Sequence, residues 1–226
     1  MGRLGMKSGG NSPIVPGRHA RLRVDGDPLS LLLWHVNRIY CRVFHRFAWD
    51  GPDPLPEHGG ALLVSNHRSS VDPFILSAAT RRVISFLIAE EYYRIPLLRL
   101  LFEWMGCIPV RRDETDAGAL RKTLRALRQG RVVCIFPEGG INKGLDRARP
   151  GVGYIALRSG VAVIPAKVEG TPEAESVWRS LLRRSSSRVK FGEWYRAQAP
   201  PRGAGAPLAD QAKALSAEVV ASIRCL

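Results

Sequence analysis

Five short apolar runs, set between stretches of helical pattern, constrain the fold of this chain more than anything else in it. They are Ala61–Val64 (ALLV), Val83–Ala89 (VISFLIA), Cys107–Val110 (CIPV), Val132–Phe136 (VVCIF) and Val161–Val168 (VAVIPAKV). Each is too short for a buried helix and is apolar throughout rather than at alternate positions. That is the pattern of a strand covered on both faces. Helical patterns fall between and after them. Pro73–Ala79 follows the first run, Pro96–Met105 ends at Gly106, and Pro150–Ser159 ends at Gly160. Asp113–Gln129 turns Leu120, Leu124 and Leu127 to one side and Arg121, Lys122, Arg125 and Arg128 to the other, with Asp113, Thr115 and Asp116 as caps and Gly130 as the stop. Leu208–Ile223 closes the chain, Val189–Phe191 reads as an edge strand, and Trp178–Arg188 reads as a basic surface helix or loop. Alternation of this kind predicts an α/β fold: a single domain with a mixed, mostly parallel sheet flanked by helices.

Three regions are expected. Residues 1–28 are rich in Gly, Pro and Arg and form a flexible basic arm. Residues 29–50 form an amphipathic helix, and residues 51–226 form the domain. In the helix, Leu32, Val36, Ile39, Val43 and Phe47 recur at helical spacing, while His35, Arg38, Arg42 and Arg46 make a second stripe. Two placements fit such a helix. It packs on the core, or it lies in the plane of a membrane with its arginines at the level of the lipid phosphates. The richness of the apolar side and the helix's position ahead of the first strand favour the membrane.

Composition narrows the partners. The 226 residues carry 34 Lys and Arg against 20 Asp and Glu, a formal charge of +14. Such an excess suits nucleic acid, an anionic membrane or an acidic substrate. The aromatic residues do not interleave with the basic runs as a nucleic-acid stacking platform requires, so no nucleic-acid partner is expected. Cys41, Cys107, Cys134 and Cys225 show no metal-ligand spacing. Cys107 and Cys134 sit in apolar runs, as buried thiols of a reducing compartment do. No run is long enough for an ordinary spanning helix, and no secretory signal is expected.

The chemistry gathers around Asn66-His67-Arg68-Ser69-Ser70-Val71-Asp72, just past the first strand. On one continuous helix His67 and Asp72 would sit roughly 140° apart. They meet only if the chain turns between them, which Arg68-Ser69-Ser70 permits. Asp72-Pro73 then reads as N-cap and first residue of the next helix. Two readings of the pair stand open: a capped helix behind a surface turn, or a histidine base oriented by a carboxylate. Three other strand ends carry suggestive residues, namely Arg111-Arg112, Glu138-Gly139 and Val163-Ile164-Pro165. Ligands of α/β sheets collect at the carboxyl ends of strands.

In that order and spacing, these segments resemble the blocks of the glycerolipid acyltransferase family, the 1-acylglycerol-3-phosphate acyltransferase (PlsC-like) group. The His67–Asp72 segment resembles its His-x4-Asp block. Gly106–Arg112 is similar to the second block, Phe136-Pro137-Glu138-Gly139 to the core of the third, and Val163–Ala166 to the fourth. The resemblance implies transfer of a fatty acyl group from acyl-CoA or acyl-carrier protein to the hydroxyl of a lysophospholipid or related glycerol-phosphate acceptor, within phospholipid biosynthesis. His67 would be the general base and Asp72 its orienting partner. Asn66, Arg112, Glu138, Gly139 and Lys143 would contact substrate, with Arg112 as a fork for phosphate. No metal and no cofactor beyond the acyl co-substrate is implied. The expected location is the cytoplasmic face of a membrane, peripheral or monotopic; the oligomeric state is not readable. The third block departs from the common pattern. It continues Gly140-Ile141-Asn142-Lys143, without the usual hydroxyl and arginine, which leaves Lys143 and Arg147 as nearby cations and leaves the acceptor open. A non-enzymatic basic module that binds anionic lipid or nucleic acid is the alternative, and thioester hydrolysis a third reading.

Overall fold

A computed structural model describes residues 23–49, 51–111, 116–141, 143–173, 177–197 and 207–226. The expected arm at residues 1–28 therefore lies largely outside the described residues, as does Arg112. The apolar runs become strands: β1 (Ala61–Ser65), β2 (Ile84–Ala89), β3 (Ile108–Val110), β4 (Val132–Ile135) and β5 (Ala162–Glu169). All five run parallel, in the order β3-β2-β4-β1-β5. On the outer edge of β5, β6 (Arg188–Phe191) and β7 (Tyr195–Arg196) add antiparallel pairs. The carboxyl ends of β1, β3, β4 and β5 thus share one edge of the sheet.

Residues of each strand alternate between two cores. On one face Leu63, Phe86, Cys134 and Ile164 pack under α1 (Pro28–His45) and α2 (Asp72–Ala78). On the other face Leu62, Val64, Val133 and Val163 pack under α4 (Ala117–Arg128), α5 (Gly151–Ser159) and α7 (Leu208–Cys225). The strands read as unbroken apolar runs because both faces are buried. The remaining helices are α3 (Pro96–Met105), closed by Gly106 in the left-handed conformation, and the short α6 (Val177–Leu182). Some of the positive charge is internal. Arg82 is buried and donates to the carbonyls of Pro56 and Gly130, and burial lowers its pKa to about 10.

Two helix starts differ from expectation. Residues 113–115 lie outside the described residues, and α4 begins at Ala117, where the Asp116 carboxylate accepts the Ala119 N–H at 2.9 Å. The N-cap of α2 is Val71, not Asp72, and no side chain caps that helix. Asp72 occupies the first turn, and its carboxylate is turned back onto the loop before it.

Helix α1 ends at His45, five residues short of the expected 29–50 span. Arg46 adopts a left-handed φ of 45° and returns its N–H to Cys41, and Phe47 is buried instead of extending the apolar stripe. The inner face of α1 is largely polar. Trp34 Nε1 donates to Thr80 O at 2.7 Å, Asn37 Nδ2 to Phe74 O at 2.9 Å and the Tyr40 hydroxyl to Leu181 O at 2.8 Å. His45 is fully buried, with Nε2 2.9 Å from the Tyr40 hydroxyl and Nδ1 2.8 Å from Ser185 Oγ. Because Tyr40 already donates to Leu181, its oxygen accepts from His45 Nε2–H, so His45 Nδ1 accepts from Ser185. Burial holds the His45 pKa below the usual histidine range. The apolar stripe Leu29, Leu32, Val36, Ile39 and Val43 faces outward, each residue more than half exposed. The helix does pack on the core, through the face that carries Tyr40 and Cys41, and its aliphatic stripe is left on the opposite side. Among the described residues no helix is long and apolar enough to cross a membrane.

Candidate active site

Strand β1 ends in a buried Ser65, and the chain turns at Asn66. Both ends of the Asn66 amide are engaged by one residue of β5: Nδ2 donates to Val168 O at 2.8 Å and Oδ1 accepts Val168 N–H at 2.7 Å. This side chain, expected to meet substrate, fastens the end of β1 to the end of β5. The turn that follows brings His67 Nδ1 to 3.0 Å from Asp72 Oδ2, across the five-residue separation that a helix would not close.

Asp72 is wholly buried and saturated with donors. Its Oδ2 accepts the Arg68 N–H at 2.7 Å and the Ser69 N–H at 2.8 Å besides His67, while Oδ1 accepts the Thr171 hydroxyl at 2.8 Å. Its other three partners all donate to it. It therefore takes its bond from His67 as Nδ1–H, which leaves Nε2 as the free lone pair on the far side of the ring. The imidazole is also held in plane. It stacks on Phe136 with ring centroids 4.0 Å apart and 13° between planes. The His67 side chain is 15% exposed, enough to meet a ligand from one direction.

The third block supports this loop from beside it. Glu138 Oε1 accepts the His67 N–H at 3.1 Å, so this buried carboxyl fixes the backbone that carries the histidine. Its Oε2 has no hydrogen-bond partner among the described residues, and burial raises the Glu138 pKa above the ordinary carboxyl value. Gly139 has a φ of +66°, and a Cβ there would stand 3.2 Å from Arg149 Nε. The loop closes on itself through the Arg149 N–H, 2.9 Å from Pro137 O, and so lays the guanidinium over Gly139. Lys143 is exposed, with Nζ 3.5 Å from Gly139 O; the Arg147 side chain is not among those described. Of the expected site residues, His67, Asp72, Glu138, Gly139 and Lys143 therefore gather at one edge, with Asn66 beneath them.

Sequence reasoning gave four neighbours of this site no role in it. Thr171 and Pro172 lie beyond the fourth block, in a loop after β5 that turns at Gly170 (φ +72°). Ser69 Oγ donates to Pro172 O at 2.6 Å, and Arg68 forms an ion pair with Glu173. This loop lies about a hundred residues from Asp72 in sequence, so no local spacing announces it. Phe136 reads as the last residue of a buried strand, and Arg149 as a loop arginine. The one available clue was position, since all four lie just past the end of a parallel strand or in the loop it leads into.

Comparison with known proteins identifies the family and the fold. The model of the acyltransferase family matches residues 46–169, more than half of the chain, including the dyad and all of β1 to β5. The 1-acyl-sn-glycerol-3-phosphate acyltransferase of Borreliella burgdorferi is 29% identical over 125 residues, 54% of this chain and 50% of that protein. The probable 1-acyl-sn-glycerol-3-phosphate acyltransferase of Mycoplasma pneumoniae is 25% identical over 129 residues, 53% of this chain and 48% of that protein. The chain spans about half the length of these curated relatives. The crystal structure of the 1-acyl-sn-glycerophosphate (LPA) acyltransferase PlsC from Thermotoga maritima shares the fold, with a TM-score of 0.66 over 89% of this chain and 80% of that one, at 19% identity. The chain belongs to the acyltransferase family.

Proposed function

We propose that this protein is a membrane-surface O-acyltransferase of phospholipid biosynthesis. It moves a fatty acyl group from the thioester of acyl-CoA or acyl-carrier protein to the hydroxyl of a lysophospholipid or related glycerol-phosphate acceptor. The observation that carries the reading is the 3.0 Å contact between His67 Nδ1 and a buried, fully bonded Asp72. His67 Nε2 takes the proton of the acceptor hydroxyl as its oxygen attacks the thioester carbonyl carbon. Asp72 stabilises the imidazolium that results. Collapse of the tetrahedral intermediate breaks the carbon–sulfur bond, and the departing thiolate takes the proton back from His67. The products are an ester and a free thiol, with no covalent enzyme intermediate. Arg112, Lys143 and Arg149 supply positive charge for the acceptor phosphate. The 1-acyl-sn-glycerol-3-phosphate acyltransferase names of the curated relatives support the acceptor class.

The protein acts from the surface of the membrane, as a peripheral or monotopic protein on its cytoplasmic face. Support comes from the outward apolar stripe of α1, the flanking arginines and the free cysteines among the described residues. The test is an acceptor screen with isotope-labelled acyl-CoA and a panel of lysolipids and glycerol phosphate, read by mass spectrometry of the products. A labelled diacyl or monoacyl phospholipid is expected. Labelled free fatty acid as the sole product, whatever the acceptor, would contradict acyl transfer and mark a hydrolase.

A further inference from the structure

We propose that α6 is a second lipid-contact element, which lays Trp178 and Leu182 into the same anionic bilayer that receives the outer face of α1. The inference rests on the reading of α1 as a bilayer helix and adds to it a surface from the other end of the chain. In α6 the buried side is Ser180, and Leu181 packs against the core below it. Trp178 and Leu182, one turn apart, point the other way and are 63% and 71% exposed. A tryptophan and a leucine so exposed on one edge form an apolar ridge of the kind that interfaces bury. An indole, apolar with one polar N–H, suits the boundary between acyl chains and headgroups.

Two observations favour a bilayer as the occupant. The first is charge. From Val177 to Gly192 the sequence holds Arg179, Arg183, Arg184, Arg188 and Lys190 and no carboxylate. Exposed arginines beside an apolar ridge match lipid phosphates, and they oppose the pairing of two such patches from copies of this chain. The second is continuity. The Tyr40 hydroxyl donates to Leu181 O, Ser185 N–H to Phe44 O at 3.0 Å and Ser187 N–H to His45 O at 2.9 Å. Around α1, Tyr40 and Phe44 stand roughly 80° from the centre of the outward stripe, at about 100° of turn per residue. Segment 177–187 is therefore fastened to the flank of the stripe rather than behind it. The chain just before α6 holds the site: Thr171 bonds Asp72, and Pro172 bonds Ser69. A bilayer in contact with α6 would thus lie a few residues along the chain from the loop that bonds Asp72 and Ser69.

The test compares the full chain with Trp178→Ala/Leu182→Ala and with Val36→Ser/Ile39→Ser/Val43→Ser. The readout is co-sedimentation with vesicles of phosphatidylcholine and phosphatidylglycerol in equal parts. All five side chains are exposed, so the variants keep the wild-type circular dichroism. The α6 variant should partition at least about tenfold more weakly. Vesicles with brominated acyl chains should quench wild-type tryptophan fluorescence more than that of Trp178→Phe. If the α6 variant partitions as wild type while the α1 variant detaches, the inference falls and the α1 reading stands. If only the α6 variant detaches, the α1 reading falls and the shared surface proposed here falls with it, and if neither detaches, both fall. Lipid-free wild type that sediments as a dimer, with the α6 variant a monomer, would assign the ridge to a second copy and overturn the proposal.

Discussion

The loop from His67 to Asp72 and the outer face of α1 belong to the same helical layer of the molecule, yet they are built on opposite rules. In the loop, the Asp72 carboxylate receives a ring N–H, two backbone N–H groups and a hydroxyl, and its histidine is stacked on Phe136. That geometry is set from within. It needs no ligand to hold it, as a catalytic group should be before substrate arrives. The outer face of α1 inverts the ordinary arrangement. Its polar residues Asn37, Tyr40 and His45 bond inward, and its aliphatic residues stand in solvent. That surface is incomplete without something apolar against it. One region carries its chemistry internally, and the other leaves five aliphatic side chains on the surface.

Variants that separate the two regions test this contrast. The largest effect belongs to the loop. His67→Ala should lower kcat by about 10² to 10⁴, the usual contribution of a general base, while vesicle partitioning stays at the wild-type value. Loss of partitioning alongside activity would show the two regions to be one. The outer face comes next. Val36→Ser/Ile39→Ser/Val43→Ser removes about 1 kcal/mol of apolar transfer per side chain, or about a hundredfold in vesicle partitioning over the three. Its melting temperature should not fall, because these side chains are exposed in the fold; a large fall would mean that they pack on the protein after all.

The smallest effect sharpens the boundary between inside and outside on α1 itself. His45 has a lowered pKa in the folded state, so the unfolded chain binds its proton first as pH falls below about 6.5. Stability from this group is complete above that pH. It declines on acidification at no more than about 1.4 kcal/mol per pH unit, until the folded-state pKa is passed. Denaturant melts at pH 7.5 and 5.5 should therefore show a smaller loss for His45→Gln than for wild type. Equal losses would remove His45 from the account.

The strands were legible in the sequence because burial on both faces leaves no room for polar alternation; β2, β3 and β4 fall within the apolar runs, and β1 and β5 pass the ends of theirs by one residue. Two-residue β7 leaves no comparable pattern. Amphipathicity located α1 and α4 but did not orient them alike. On α4 the arginines face solvent and Ala119, Ala126 and Leu127 are buried, whereas α1 turns its aliphatic stripe outward. A helical wheel shows that two faces differ, not which one meets the core. At the site, the His67–Asp72 spacing required a turn, and the turn is there. What local spacing missed was contact between distant segments: Thr171 and Pro172 from beyond β5, and Arg149 folded back over Gly139. Asp72 was misread as a cap because Asp-Pro before an apolar run is a common helix start. Here the loop's N–H groups claim the carboxylate instead.

Asp72→Asn tests the central claim most directly. The amide oxygen replaces Oδ2 as acceptor for the Arg68 and Ser69 N–H groups, and its NH₂ faces the Thr171 hydroxyl, which can accept. The loop therefore keeps its shape, and only the negative charge behind His67 is lost. With melting temperature and vesicle partitioning unchanged, kcat for transfer from acyl-CoA to a lysolipid should fall by about a hundredfold or more. A folded Asp72→Asn protein that transfers acyl groups at the wild-type rate would contradict the account and leave Asp72 as a residue that only holds a loop.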